Sequence, residues 1–307
     1  LPKRSARGAA PRRKNHGALL AIDVVLAVVV VALLGFAVFR GVDDSGASDE
    51  AGPAETTTTT EPPTKVLLVG DSVAAELASP LEAAYAAPGD EFSFSLLPAV
   101  STPTITVDMA TILAEQQPDL VLVMVGSWEA AGVNFILPEW DTVYIDTVLR
   151  PFVEQVEAAG AEVVWLGYPR LEATDEADKH ELLNGVYASL AERLGDPSVG
   201  YIDVGAAVEA PDGSYARELD LDGTGALTMV RADDGKHYCP DGAVRSATAV
   251  VDALALGKGL EPDPGWETAP WRSDPASFTE PARCPGAFPT PPAGTPSTTA
   301  PSAFPPP

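Results

Sequence analysis

Three side chains, far apart in the sequence, have the types and spacing to carry out nucleophilic chemistry together. Ser72 stands in Gly70-Asp71-Ser72, straight after the apolar run Val66 to Val69. Asp234 and His237 form an Asp-x-x-His pair in the loop sequence RADDGKHYCPDGA. A serine hydroxyl is a weak nucleophile near neutral pH until an imidazole takes its proton, and the imidazole works best when a carboxylate holds its other nitrogen. The same Ser72 has a second reading. It lies where a strand gives way to a helix, and Asp and Ser are preferred caps for the free N–H groups of a helix start. Of the other histidines, His16 sits in a basic N-terminal stretch. His180 sits in DEADKHELLNG, which reads as a charged, solvated helix face. Cys239 and Cys284 are too distant for Cys-x-x-Cys chemistry, and no His/Cys cluster has zinc-ligand spacing, so no metal and no organic cofactor is expected.

For these residues to meet, the intervening elements must bring their loops to one place. Lys65 to Leu77 predicts strand, tight turn and helix, the helix running to about Ala87. Further strands are predicted at Glu91–Leu97, Asp119–Val125, Ala161–Tyr168 and Val199–Val204, with helices at Ile105–Gln116, Asp141–Ala159 (kinked near Pro151) and Asp175–Leu194. Continuous apolar runs such as DLVLVMV are typical of strands buried on both faces, as in parallel sheets covered by helices. Five alternations imply a three-layer α/β/α sandwich with right-handed crossovers, whose strand-to-helix loops share one edge. Gly205–Pro240 reads as irregular, and Asp241–Gly257 as a last helix with Asp241 as its cap.

With these blocks in place, the chain resembles the SGNH, or GDSL, hydrolases over roughly Lys65 to Gly257. Gly70-Asp71-Ser72 matches the family's first block, and Asp234-x-x-His237, with its Gly235 and the Pro-Asp-Gly that follows, matches its last. The resemblance implies a five-stranded flavodoxin-like sheet, Ser72 as nucleophile, His237 as general base and acid, and Asp234 as its orienting group. Two blocks depart from the pattern. Gly126-Ser127-Trp128-Glu129 stands where the family has Gly-x-Asn-Asp, and no clear glycine matches the second block in LLPAVST, where Ala99 and Ser101 are nearest. The oxyanion donors then come from among the N–H of Ser72, that of Gly126 and the indole of Trp128. Loss of one such donor typically costs about 10² to 10³ in rate. Trp128 could equally be a lid on the core, and Glu129 an exposed side chain. The variant block looks like those of divergent SGNH domains found beside or fused to envelope acyltransferases.

Outside that body the composition changes. Residues 1–17 form a basic tail, and the first forty residues hold seven basic side chains against one acid, Asp23. Residues 18–39 carry a single charge and are long enough to span a bilayer. The basic flank predicts an uncleaved anchor with its N-terminus in the cytoplasm and the body outside; the alternative is a cleaved signal peptide. Residues 40–64 read as a Thr/Pro-rich disordered linker, 65–284 as the folded domain, and 285–307 as a Pro-rich disordered tail. The rest of the chain carries 12 basic and 43 acidic residues, which argues against nucleic acid as a partner. An even cysteine count in a segment expected outside the cell predicts a Cys239–Cys284 disulfide. The expected function is a membrane-anchored, extracytoplasmic serine esterase or acyltransferase. Its substrate would be an acylated envelope glycan, acetyl above all, or a small acyl ester, and a membrane acyltransferase is a candidate partner. The alternative is a catalytically weak module that binds envelope glycan or that acyltransferase.

Overall fold

The computed structural model describes residues 64–85, 92–98 and 101–288. The predicted tail, span and linker before residue 64 lie outside the described residues, as does the C-terminal tail beyond residue 288. Among the described residues no helix is long and apolar enough to cross a membrane.

A parallel α/β fold carries the chain. Strands β1 (Thr64–Gly70), β2 (Phe92–Pro98), β3 (Leu120–Met124), β4 (Glu162–Leu166) and β5 (Val199–Ile202) form one sheet in the order β2-β1-β3-β4-β5, each adjacent pair parallel. Helices follow the strands: α1 (Ser72–Tyr85), α2 (Thr102–Gln116), α3 (Ser127–Gly132), α4 (Trp140–Tyr144), α5 (Arg150–Ala158), α6 (Thr174–Ala188), α7 (Leu190–Leu194) and α8 (Pro240–Lys258).

The period-two alternation of the strands divides the core in two. Val66 and Leu68 of β1, with Leu120 and Leu122 of β3, pack on Leu77 and Leu81 of α1 and on Val250 and Leu254 of α8. Leu67, Val69, Val121 and Val123 point the other way, onto Met109 of α2, Phe152 of α5 and Val186 of α6. A single π-helical turn, Ile145–Leu149, joins α4 to α5 immediately before Pro151. Proline has no N–H to give and its ring crowds the preceding turn, so the i→i−4 ladder loosens there, where the sequence predicts a kink.

Other expectations are corrected. The stretch expected to be irregular contains a short antiparallel ribbon, β6 (Glu218–Asp220) and β7 (Leu227–Met229). Asp241 does not cap α8, where Cys239 is the N-cap residue; its carboxylate instead takes the Arg272 guanidinium at 2.5 Å. That arginine belongs to a run of 3₁₀ turns after α8, which buries Trp266, Trp271 and Phe278 against the α1/α8 layer. Phe288 packs on Phe278, so ordered packing reaches past residue 284.

Cys239 and Cys284 are joined in a disulfide. The bridge and the Asp233 N–H to Arg283 carbonyl bond (3.0 Å) fasten this C-terminal run to the loop bearing Asp234 and His237. Closing 45 residues is worth about 4 kcal/mol at most on the chain-entropy model. Reduction, or Cys239→Ala with Cys284→Ala, is expected to lower the guanidinium unfolding midpoint accordingly. Equal midpoints with and without reductant would show that the bridge contributes nothing to stability.

Candidate active site

The sheet order reverses between β1 and β3, because β2 follows β1 on one side and β3 lies on the other. Open α/β sheets bind ligands in the crevice at such a switch point, beyond the carboxyl ends of the strands. Ser72 follows β1 there, and Gly126 follows β3. Asp71 joins them: its Oδ1 accepts the Val73 N–H at 3.0 Å and its Oδ2 accepts the Gly126 N–H at 3.2 Å. The cap of α1 is therefore Asp71, and the Ser72 hydroxyl is free for another partner. Asp71 is buried, and that burial pushes its carboxyl up to about 6 against the opposing hydrogen bonds.

That partner is His237. Ser72 Oγ lies 2.8 Å from His237 Nε2, and His237 Nδ1 lies 2.6 Å from Asp234 Oδ2. Asp234 Oδ1 also accepts the N–H groups of Lys236 (2.9 Å) and His237 (3.1 Å), which fixes the carboxylate within its own turn. Gly235 makes this turn possible, with φ +72° and a Glu172 side chain where a Cβ would stand. Burial pulls the His237 imidazole down, but the Asp234 hydrogen bond and the charges of Glu76, Asp234 and Asp71 outweigh it and raise its pKa. Burial alone would raise Asp234; its bonds to His237 and Lys236 instead hold it well below the usual carboxylate range.

The structure treats the oxyanion candidates differently. The Ser72 N–H, at the first position of α1, has no partner within the helix. Gly126 donates its N–H to Asp71 and is occupied. Its missing side chain is used otherwise, since a Cβ there would meet the Tyr168 ring at 2.1 Å. Trp128 is 47% exposed and lines a cavity rather than roofing the core. Glu129, for which exposure was one expectation, is buried: Oε2 accepts the Thr102 N–H at 2.6 Å and Oε1 accepts the Tyr144 hydroxyl, so it clamps the starts of α2 and α3 together.

His180 is likewise not a solvated residue. It is 1% exposed and stacks on Tyr168 at 4.7 Å, and burial lowers its pKa to about 4, so it stays neutral behind Gly126.

Two residues not singled out from the sequence support the site. Glu76, one turn after Ser72 on the same face of α1, is buried and accepts the Tyr238 N–H at 2.5 Å and the Thr279 hydroxyl at 2.7 Å. Burial pushes it up to about 7. Its signal was a lone acid at helical spacing within the apolar stripe of Val73, Leu77 and Leu81. Arg231 is fully buried and donates to the carbonyls of Lys236 (Nε, 3.1 Å), Arg170 (3.0 Å) and Gly235 (3.4 Å), so the Asp234–His237 turn rests on its guanidinium. Backbone acceptors leave no mark in a sequence, and Arg231 was not legible there.

Glu76→Gln keeps an acceptor for Tyr238 and removes a charge. Since the ionised Glu76 raises the His237 pKa, the acid limb of any His237-dependent rate is expected to move to lower pH in this variant. An unshifted profile would show that the charge does not reach the imidazole. The stability sign follows from the same groups. Asp71, Glu76 and His237 all have raised folded-state pKa values, so their contribution is fully present below the ordinary values and is lost as pH rises through the folded ones; buried His180, lowered to about 4, acts in the opposite sense but is one group against three. The thermal midpoint is expected to be higher at pH 5 than at pH 8, with a smaller difference in Glu76→Gln. A midpoint that rises with pH would contradict this.

Residues 65–253 match the family described as "Protein of unknown function (DUF459)". No curated protein matches the chain. Among solved structures, it is similar to a GDSL-like lipase from Bacteroides thetaiotaomicron (11% identity, 64% of this chain and 89% of that one, TM-score 0.44). It is also similar to the C-terminal catalytic domain of Streptococcus pneumoniae peptidoglycan O-acetyltransferase A (20%, 65% and 97%, 0.42) and to a catalytic mutant of an acetylxylan esterase from Geobacillus stearothermophilus (16%, 63% and 94%, 0.42). The chain belongs to the DUF459 family, and it carries the first and last sequence blocks of the SGNH (GDSL) hydrolases.

Proposed function

We propose that the protein is a serine esterase or O-acyltransferase that works through an acyl-Ser72 intermediate. The observation that carries this is the hydrogen-bonded line from Ser72 Oγ through both nitrogens of His237 to Asp234 Oδ2. In this mechanism Ser72 Oγ attacks the ester carbonyl carbon while its proton passes to His237 Nε2. Asp234 holds the Nδ1 proton and stabilises the imidazolium. The tetrahedral oxyanion lies at the N-terminus of α1, where the Ser72 N–H and the helix dipole favour negative charge. Its collapse breaks the bond to the alcohol, which leaves with the proton from Nε2. Water or a second hydroxyl then enters by the same route, giving hydrolysis or transfer.

For the substrate we propose an acylated glycan of the cell envelope. What supports it is the apolar span at 18–39 with its basic flank, which would tether the domain outside the membrane and close to such material. A membrane acyltransferase would be a suitable donor partner in that setting.

Incubation of the full chain with a fluorophosphonate is expected to label Ser72, and p-nitrophenyl acetate to be hydrolysed. Ser72→Ala should abolish both, and Asp234→Asn should lower turnover by about 10⁴. A well-folded chain that shows neither labelling nor turnover would instead be a binding module.

A further inference from the structure

Among the described residues, Val107, Trp128, Ile136, Leu137 and Val143 are large apolar side chains left exposed in α2, α3, α4 and the loop between α3 and α4. Trp128, Leu137 and Val143, together with Trp140, wall a cavity of about 190 Å³ in those segments. Phe135 braces Trp140, the ring centroids 4.7 Å apart. The polar side chains of the lining are mostly occupied within the protein. Tyr144 donates to Glu129, Thr147 donates to the Val143 carbonyl at 2.7 Å, and Ser101 pairs with Thr104 at 2.8 Å. A ligand there would meet aromatic and aliphatic wall with a few donors, the two indole N–H groups and the Asn134 amide. Such a surface fits a proline-rich strand. Polyproline II chains dock in aromatic-lined grooves, and their carbonyls are open to donors because the helix makes no internal hydrogen bonds.

The chain carries such a segment. Residues 289–307 read PTPPAGTPSTTAPSAFPPP, with eight prolines, no charge, and one aromatic, Phe304, directly before three prolines. Neutrality decides between occupants, because the chain beyond residue 40 holds 43 acidic residues against 12 basic ones. A second copy or an anionic membrane surface meets repulsion from that charge, and a neutral strand meets none. Residues 40–64 also contain prolines but carry six acids. The reach is sufficient as well. Phe288, from which the segment continues, packs on Phe278 and against the Cys239–Cys284 bridge. Cys239 belongs to the His237 loop, which meets Ser72 after β1, and the cavity is walled by segments after β2 and β3, so both lie at the carboxyl edge of the sheet. Sixteen residues on from Phe288, Phe304 can extend about 50 Å, against a width of roughly 45 Å for a domain of this size. A cavity of about 150 Å³ holds benzene, so a phenylalanine ring fits this one.

We infer that this cavity is the docking site of the chain's own proline-rich segment, with the Phe304 ring in the cavity and Pro305–Pro307 along the indoles of Trp128 and Trp140. The inference does not depend on the acyl-Ser72 reading. Tethering supplies an effective concentration on the order of 1 mM, so a contact with a Kd of only about 0.1 mM leaves about one site in ten open. Hydrogen–deuterium exchange on the full chain tests it. Phe304→Asp lies outside the described packing, and in it the amides of residues 132–137 are expected to exchange about tenfold faster than in the wild type. A synthetic peptide of residues 296–307, added at about 1 mM, is expected to restore slow exchange in that variant. Equal exchange in the two chains would overturn the docking. Slow exchange that survives Phe304→Asp and fades on dilution would assign the surface to a second copy instead. Slow exchange that survives it and needs phosphatidylcholine vesicles would assign the surface to a membrane, which overturns the inference equally.

Discussion

The buried carboxylate of Asp71 is the constraint on which the rest of the site depends. It caps α1 through the Val73 N–H, binds the Gly126 N–H across the switch point, and sends its own N–H to the Met124 carbonyl at 3.3 Å. One side chain thus fixes the angle at which α1 leaves the sheet and the approach of the β3 loop. Without it Ser72 would be the natural cap, and its hydroxyl would be spent on the backbone. Burying a carboxyl is unfavourable, which its raised pKa expresses, and the N–H donors offset that only in part.

The opposite half of the site is held by different means. The Asp234–His237 turn comes from a loop with little regular structure and needs support from outside itself. Arg231 takes its carbonyls from beneath, Glu76 takes the Tyr238 N–H from α1, and the disulfide ties Cys239 to the C-terminal run. Glu76 links all these parts, since its other oxygen accepts from Thr279 in that same run. One helical turn of α1 carries both partners of the His loop, with Ser72 at its start and Glu76, which anchors Tyr238, at its end.

What the sequence disclosed and what it hid follow from the kind of interaction involved. The parallel α/β layers were legible because β1 and β3 are continuous apolar runs. Ser72, Asp234 and His237 were legible because a hydroxyl, an imidazole and a carboxylate in hydrogen-bonded line need those side-chain types. The β6/β7 ribbon was not, since three-residue strands carry no usable period. The turns after α8 were missed because prolines and separate tryptophans pack there without any repeat. His180 was misread because its neighbours in sequence are charged, although the helix turns it inward onto Tyr168. Asp241 was misread because its partner, Arg272, lies 31 residues away.

Gly126-Ser127-Trp128-Glu129, where the resemblance would place Gly-x-Asn-Asp, can be read in physical terms. An Asn side chain in the crevice would give a polar donor; Trp128 gives apolar surface, and Glu129 turns inward to secure α2 and α3 instead. In the proposed acyl-Ser72 mechanism, more of the oxyanion stabilisation would then fall to the Ser72 N–H and the start of α1, and the acids nearby would matter more. Ionised Asp71 and Glu76 would oppose a growing negative charge. Their burial raises them to about 6 and about 7, so near neutrality part of that opposition would be removed by protonation, while Asp234, held low by His237, would keep the charge that an imidazolium needs. The site thereby separates its carboxyls by environment: Asp234 is held ionised against His237, and Asp71 and Glu76 carry less charge around Ser72, as the proposed mechanism would need.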